Sequence, residues 1–165
     1  MKKAVWSAAA ALALMCVCST PAYAQLDTEQ ITATAVVAAR GRITLTGAVN
    51  FPDTDPFLSP TINAAPLAVQ ALARVAPGAG VSLTVQAGGN FVSGTDTIAI
   101  GNLSWSTTGG GFTATGTMSD TTAQPVGGWT GPGAHNGSQT YTLVNDWAYA
   151  PGNYSVTLTY TLTTP

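Results

Sequence analysis

Three features of the sequence predict an all-β domain, a single antiparallel β-sandwich of immunoglobulin-like type with about eight or nine strands. Apolar residues recur at every second position through most of the chain beyond residue 30. Short alternating runs are separated by turn-forming stretches, drawn from 18 glycines and 10 prolines. No segment carries the three-to-four spacing of an amphipathic helix. Charged residues make up only 7% of the chain, and threonine takes their place. Its β-branch favours strands while its hydroxyl keeps the outer face wet.

The first 24 residues read as a signal peptide and stand apart from the fold. Lys2 and Lys3 form a positive start, Ala8 to Val17 an apolar run too short to span a bilayer, and Ala22-Tyr23-Ala24 a small-x-small cleavage site. Cleavage after Ala24 leaves residues 25–165 as the domain, and removes Cys16, Cys18 and both lysines. Met15 and Val17 occupy the places where a lipoprotein would carry small residues before its cysteine. Three arginines then face six aspartates and Glu29, a formal charge of −4. With so few cations nucleic-acid binding is not expected, and no later stretch is apolar for long enough to be a transmembrane helix. An exported protein follows, extracellular, at the cell surface or in the periplasm.

Taken in order, Ile31, Ala33, Ala35 and Val37 share the face of a first expected strand, Arg40-Gly41 forms a turn, and Ile43, Leu45, Val49 and Phe51 line a second strand. Pro52, Pro56 and Pro60 break the next stretch into a crossover. Leu67 to Val75 follows an extended pattern, although its small residues leave a helix as the alternative; Ala76 to Gly80 turns, and Val81, Leu83 and Val85 alternate against polar neighbours. Ile98 and Ile100 are out of phase with Leu103 and Trp105, which implies a bulge or bend at Gly101-Asn102. Phe112 to Met118 alternates with threonines. Pro125 to Ser138 is glycine-rich and reads as a long loop. Strands at Tyr141–Leu143 and Tyr154–Leu162 complete the set.

The residue types disfavour catalysis. Beyond the signal there is no cysteine or lysine, and His135 is the only imidazole, with no G-x-S-x-G elbow to supply a nucleophile. No enzyme and no cofactor are implied. Asp53 and Asp55 in "NFPDTDPF" are the candidate calcium ligands. Calcium takes six to eight oxygens, and with no third acidic residue nearby, Asx turns beside prolines explain the pair more simply. Trp129 (between Gly127-Gly128 and Gly131-Pro132), Trp147 and Tyr149 are the candidate ligand-binding residues, because exposed aromatic faces beside Asn and Asp grip sugar rings. Plugging the end of a sandwich core is the competing role for such aromatics.

Two resemblances concern the final strand. From Tyr154, "TLTYTLTTP" resembles the ending of WxL domains of bacterial cell surfaces, which close on a tyrosine, an alternating Thr/Leu strand and a Trp-x-Leu before a proline; Tyr160 stands in that tryptophan's place, and "NLSWST" offers the earlier tryptophan. This implies a β-sandwich held noncovalently at the envelope. Gly152, Tyr154, Val156, Leu158, Tyr160 and Leu162 also resemble the ending of chaperone–usher pilus subunits, which implies strand exchange with a neighbour's N-terminal extension. Gln30 to Val37 is the stretch that would serve, although Ala33 and Ala35 are small and the run leads into the expected turn at Arg40-Gly41. The leading expectation is thus a non-catalytic surface protein with a structural or adhesive role. A fibre subunit ranks second and a small carbohydrate-binding module third. The expected partners are envelope polysaccharide or another surface protein, with self-association as a further expectation.

Overall fold

The computed structural model describes residues Glu29–Thr164, so the signal peptide expected at residues 1–24 lies outside the described residues. The chain divides into two units, Met1–Val36 and Val37–Pro165. Within the first, Glu29–Val36 is neither helix nor strand, and every residue of it is exposed. The strand expected at Ile31–Val37 is therefore absent. Its alternation supplies one apolar face, but a strand also needs a partner for its backbone groups.

The second unit is an all-β antiparallel sandwich. Its strands are β1 (Arg40–Thr46), β2 (Thr61–Asn63), β3 (Leu67–Arg74), β4 (Gly80–Ala87), β5 (Phe91–Ser93), β6 (Asp96–Ile98), β7 (Leu103–Gly109), β8 (Thr115–Thr117), β9 (Gln124–Thr130), β10 (Gly133–Val144) and β11 (Leu158–Thr163). One sheet runs β1-β3-β10-β7-β8, with β2 pairing the end of β10 beyond β3. The opposing sheet runs β11-β4-β9, and β5 and β6 form a separate hairpin.

Burial follows the period of two. Leu67, Val69, Ala71 and Ala73 of β3 point inward, as do Val81, Leu83, Val85 and Ala87 of β4. Leu103 and Trp105 of β7, Val126 of β9 and Tyr141 and Leu143 of β10 join Leu67, Val69, Ala71, Leu83, Val85 and Ala87 in one core. Trp105 is thus a core residue, as its strand position implied. The turn expected at Ala76–Gly80 is present, with Ala79 N–H donating to Ala76 and Gly78 at φ +85°.

Several elements depart from the sequence expectation, each for an identifiable reason. Arg40-Gly41 opens β1 instead of turning, pairing Arg74 and Ala73, so Arg40 and Arg42 lie along a strand and flank no hairpin. β1 stops at Thr46 because Gly47 has φ +120°, which leaves Val49 and Phe51 packed on the core from a loop. At Gly101-Asn102, where a bulge or bend was expected, the bend is present as a 3-10 turn, Ile100–Asn102, which makes the phase change. It is held by Asn102 N–H on Ala99 and by Ile100 N–H on Asn90 Oδ1. The irregularity in the sheets lies elsewhere, between Leu83 and Thr84 opposite β9.

The largest difference is at Pro125–Ser138, which is no loop but most of β9 and the first half of β10. Its glycines permit close approach. A β-carbon on Gly137 would sit 2.6 Å from both Phe112 Cδ2 and Thr108 O, and Gly128 N–H donates to Gly111 at 3.0 Å. Glycine here lets neighbouring chain lie directly on the strand.

Candidate functional site

The two long sides of the sandwich are finished differently. On the β8/β9 side, backbone closes the gap between sheets. Gly128 N–H reaches Gly111, and Ala87 N–H reaches Ser119 at 3.0 Å. Trp129 seals this side: its ring stacks on His135 (centroids 4.2 Å, 28° between planes) and lies 6.5 Å from Phe112. The imidazole Nδ1 sits 3.2 Å from the Gly110 carbonyl.

The β1/β11 side is open. Each of these strands is the last in its sheet, and among the described residues β11 pairs only with β4 and β1 only with β3. They approach at one end, where a β-carbon on Gly41 would lie 3.0 Å from Leu162 Cδ2. Toward Leu45 and Leu158 they part, and a cavity of about 1190 Å³ enters between the sheets, reaching Phe51, Phe91, Leu103 and Leu143.

The backbone of β11 defines what that edge offers. Gly88 N–H donates to Thr157 O at 2.9 Å, and Val92 and Ser155 exchange both backbone hydrogen bonds at 3.1 Å. Odd-numbered residues therefore turn their N–H and C=O inward, toward β4 and β5. Strand geometry then turns those of Leu158, Tyr160 and Leu162 outward, three donors and three acceptors with no partner strand among the described residues. The side chains of the same residues point into the sandwich yet stay only half-buried, as do Tyr154 and Val156. The final alternating run is thus an edge strand: Tyr154 precedes its regular part, and its apolar face is left incompletely covered.

A buried polar relay fixes this strand to the opposite sheet. Tyr160 O–H donates to Gln139 Oε1 at 2.5 Å, and the Tyr141 and Tyr160 hydroxyls are 2.7 Å apart. Gln139 and Tyr141 have no exposed surface, and Gln139 Nε2 has no partner among the described residues. Burial holds the Tyr141 hydroxyl well above the usual tyrosine range, and the adjacent Tyr160 adds to this. Burial likewise pushes Tyr160 up to about 12, against a smaller lowering by the hydrogen bond from Tyr141. Gln139 follows the same parity as Tyr141 and Leu143, which is the signal that could have marked it as inward-facing.

Of the expected ligand residues, Asp53, Trp147 and Tyr149 line the cavity, and Trp129 lies apart from it. Trp129 belongs to β9, half-buried in the closed side with its Nε1 buried, so its placement in an exposed loop is corrected. The glycines that suggested a loop are strand positions. Trp147 is 73% exposed. Tyr149 is half-buried; its hydroxyl accepts from Asn102 Nδ2 at 2.8 Å, and burial raises its pKa. Asp55 builds a turn, its Oδ1 accepting from Phe57 N–H at 2.8 Å and its carbonyl from Leu58 and Ser59. Among the described residues no three His, Cys, Asp or Glu cluster as metal ligands, at Asp53 and Asp55 or elsewhere. Asn145 Nδ2 ties the same loop down through Thr54 and Ser59, and Phe57 and Leu58 stand exposed on it. No helix among the described residues is long and apolar enough to cross a membrane. No family model matches this chain, and no curated protein matches it in sequence.

Proposed function

We propose that this protein is an exported, non-catalytic structural subunit of a surface fibre, joined to its neighbours by a strand added at the β1/β11 seam. The observation that carries the reading is the outward-facing backbone of Leu158, Tyr160 and Leu162 beside an apolar cavity. An unpaired edge next to half-covered apolar side chains is a template for another strand. This ranks strand exchange above a self-contained adhesive sandwich, because a finished sandwich would cover that face. The test is export of the full chain followed by gel electrophoresis in SDS without heating and electron microscopy. A ladder of multimers and visible filaments support the reading. A single monomeric species at all concentrations overturns it. Retention of that monomer on purified peptidoglycan would favour the wall-attached alternative of WxL type.

The exposed indole of Trp147, flanked by Asp146, favours a second role in carbohydrate contact. A shift of intrinsic fluorescence with glycans that Trp147→Ala abolishes supports it, and silence across a broad glycan panel removes it.

A further inference from the structure

We propose that copies of the sandwich dock end to end, the arginine-bearing end of one on the aspartate-bearing end of the next. This contact uses surfaces other than the β1/β11 seam, and it holds whether or not a strand is added there.

The charges of Val37–Pro165 are sorted along the strands. The stretch carries three arginines and five aspartates, with no lysine or glutamate, and all eight are exposed. Arg40 opens β1 opposite Arg74, the last residue of β3, and Arg42 lies two positions further in. Ala73 pairs with Gly133, the first residue of β10, so the arginines sit where β10 begins. The aspartates sit where it ends. Asp146 comes two residues after Val144. Asp53 and Asp55 belong to the loop that Asn145 holds through Thr54 and Ser59. Asp96 pairs with Ser93, beside the bridge from Val92 to Ser155. The Asp120 carbonyl accepts from Gln86 Nε2 at 2.7 Å, at the end of β4 remote from Gly80 and Arg74. From Gly133 to Val144 the strand rises roughly 36 Å, several times the screening length of about 8 Å in physiological salt. The two ends therefore act as separate poles.

Turn chemistry does not demand this sorting. Asp55 and Asp146 build turns at their end, but Ala76–Gly80, Gly109–Gly111 and Gly131-Pro132 at the other are made from Gly, Pro and Ala alone. The arginine end also carries an unmet demand. Arg40 and Arg74 lie directly opposite each other, and like charges so placed destabilise an antiparallel pair. No acidic residue on β1, β3, β9 or β10 offsets them. The aspartates of a second copy do.

The apolar surfaces agree with the charges. Phe57, Leu58 and Trp147 stand exposed at the aspartate end, where the open indole face can also receive a guanidinium. Ala76, Pro77 and Pro132 are exposed at the other end and are small enough for larger side chains to seat on them. Because the two surfaces differ, the contact is heterologous: each docked pair keeps one free surface of each kind, and the contact propagates.

Sedimentation velocity of the full exported chain in about 10 mM and about 1 M NaCl tests this, since the screening length falls from about 30 Å to about 3 Å between them. The unaltered protein should sediment faster in low salt, and that increment is the readout. Multimers joined by a strand at the seam persist in high salt and in SDS without heating. Arg42→Glu with Arg74→Glu removes one docking surface, and Asp53→Lys with Asp146→Lys removes the other. Each variant alone should lose the increment, and mixing the two should restore it as one-to-one pairing of their intact ends. An unaltered protein with no salt-dependent increment overturns the proposal, as does an increment that survives both double substitutions or a mixture of folded variants that fails to restore it. The salt comparison needs no substitution, so it decides the point even if a variant fails to fold. A salt-dependent increment without SDS-resistant multimers keeps this contact and removes the strand reading, and the reverse result keeps the strand and removes this contact.

Discussion

Tyr160→Phe isolates the relay that pins β11 to the opposite sheet. The substitution keeps the ring and deletes one hydroxyl. That hydroxyl is the one hydrogen-bond partner of Gln139 Oε1 and of the Tyr141 hydroxyl among the described residues. Gln139 and Tyr141 both lie beyond the reach of water. Leaving a buried polar group unsatisfied costs about 1–3 kcal/mol, so two such groups put the loss at about 2–6 kcal/mol. At a urea slope of about 2 kcal/mol/M, the unfolding midpoint should fall by roughly 1–3 M with the slope unchanged. Tyr141→Phe orphans neither Gln139 nor Tyr160, whose mutual bond survives, and should cost about 1 kcal/mol. The decisive variant is the triple Gln139→Leu, Tyr141→Phe and Tyr160→Phe. It removes every member of the relay, including the unpartnered Nε2, and should recover most of the stability lost by Tyr160→Phe alone. Urea unfolding followed by tryptophan fluorescence measures all three. A Tyr160→Phe midpoint within error of the unaltered protein would refute the reasoning, as would a triple variant less stable than the single one.

The same relay makes the domain sensitive to alkali. Tyr160 and Tyr141 are held protonated in the fold above the pH at which an unfolded tyrosine ionises, so their contribution is full below about pH 10. It should decline as pH rises toward 12, and less steeply in the triple variant; urea midpoints across pH 8–12 read this directly. Gly109→Ala should destabilise the domain by more than about 2 kcal/mol, because φ is +123° and a β-carbon would lie 2.5 Å from Asn136 O; thermal unfolding checks it. The two tryptophans offered as candidate ligand-binding residues should behave oppositely. Trp129→Ala should cost about 2–4 kcal/mol through lost packing on Phe112 and His135, whereas Trp147→Ala should stay within about 0.5 kcal/mol, both by urea unfolding.

The alternation of β3 and β4 was legible in the sequence because those strands are central and lean on one buried face. Their parity alone names Val69, Ala71, Leu83 and Val85 as core. Pairing was not legible. Ile31–Val37 has as regular a pattern as Val81–Val85 but no partner within the described residues, and periodicity records faces without recording neighbours. Glycine misled for a related reason. At Gly127, Gly128 and Gly137 it answers to chain packed on top of a strand, a tertiary demand, while its local signature is that of a loop. The seam was visible only as a question about the final strand. Its apolar face reads from Tyr154 to Leu162, but the emptiness beside it depends on the order of strands in the sheet.

Residue-resolved amide exchange along β11 tests the central claim most directly. In the monomeric protein, the amides of Leu158, Tyr160 and Leu162 should exchange rapidly, while those of Thr159 and Thr161, turned toward β4, should be protected. In the assembled protein the first three should become protected too, giving an unbroken protected strand. Equal protection of all five amides in the monomer would show the edge already covered, and persistent rapid exchange of Leu158, Tyr160 and Leu162 in the assembly would show that copies join elsewhere. Either result contradicts the account.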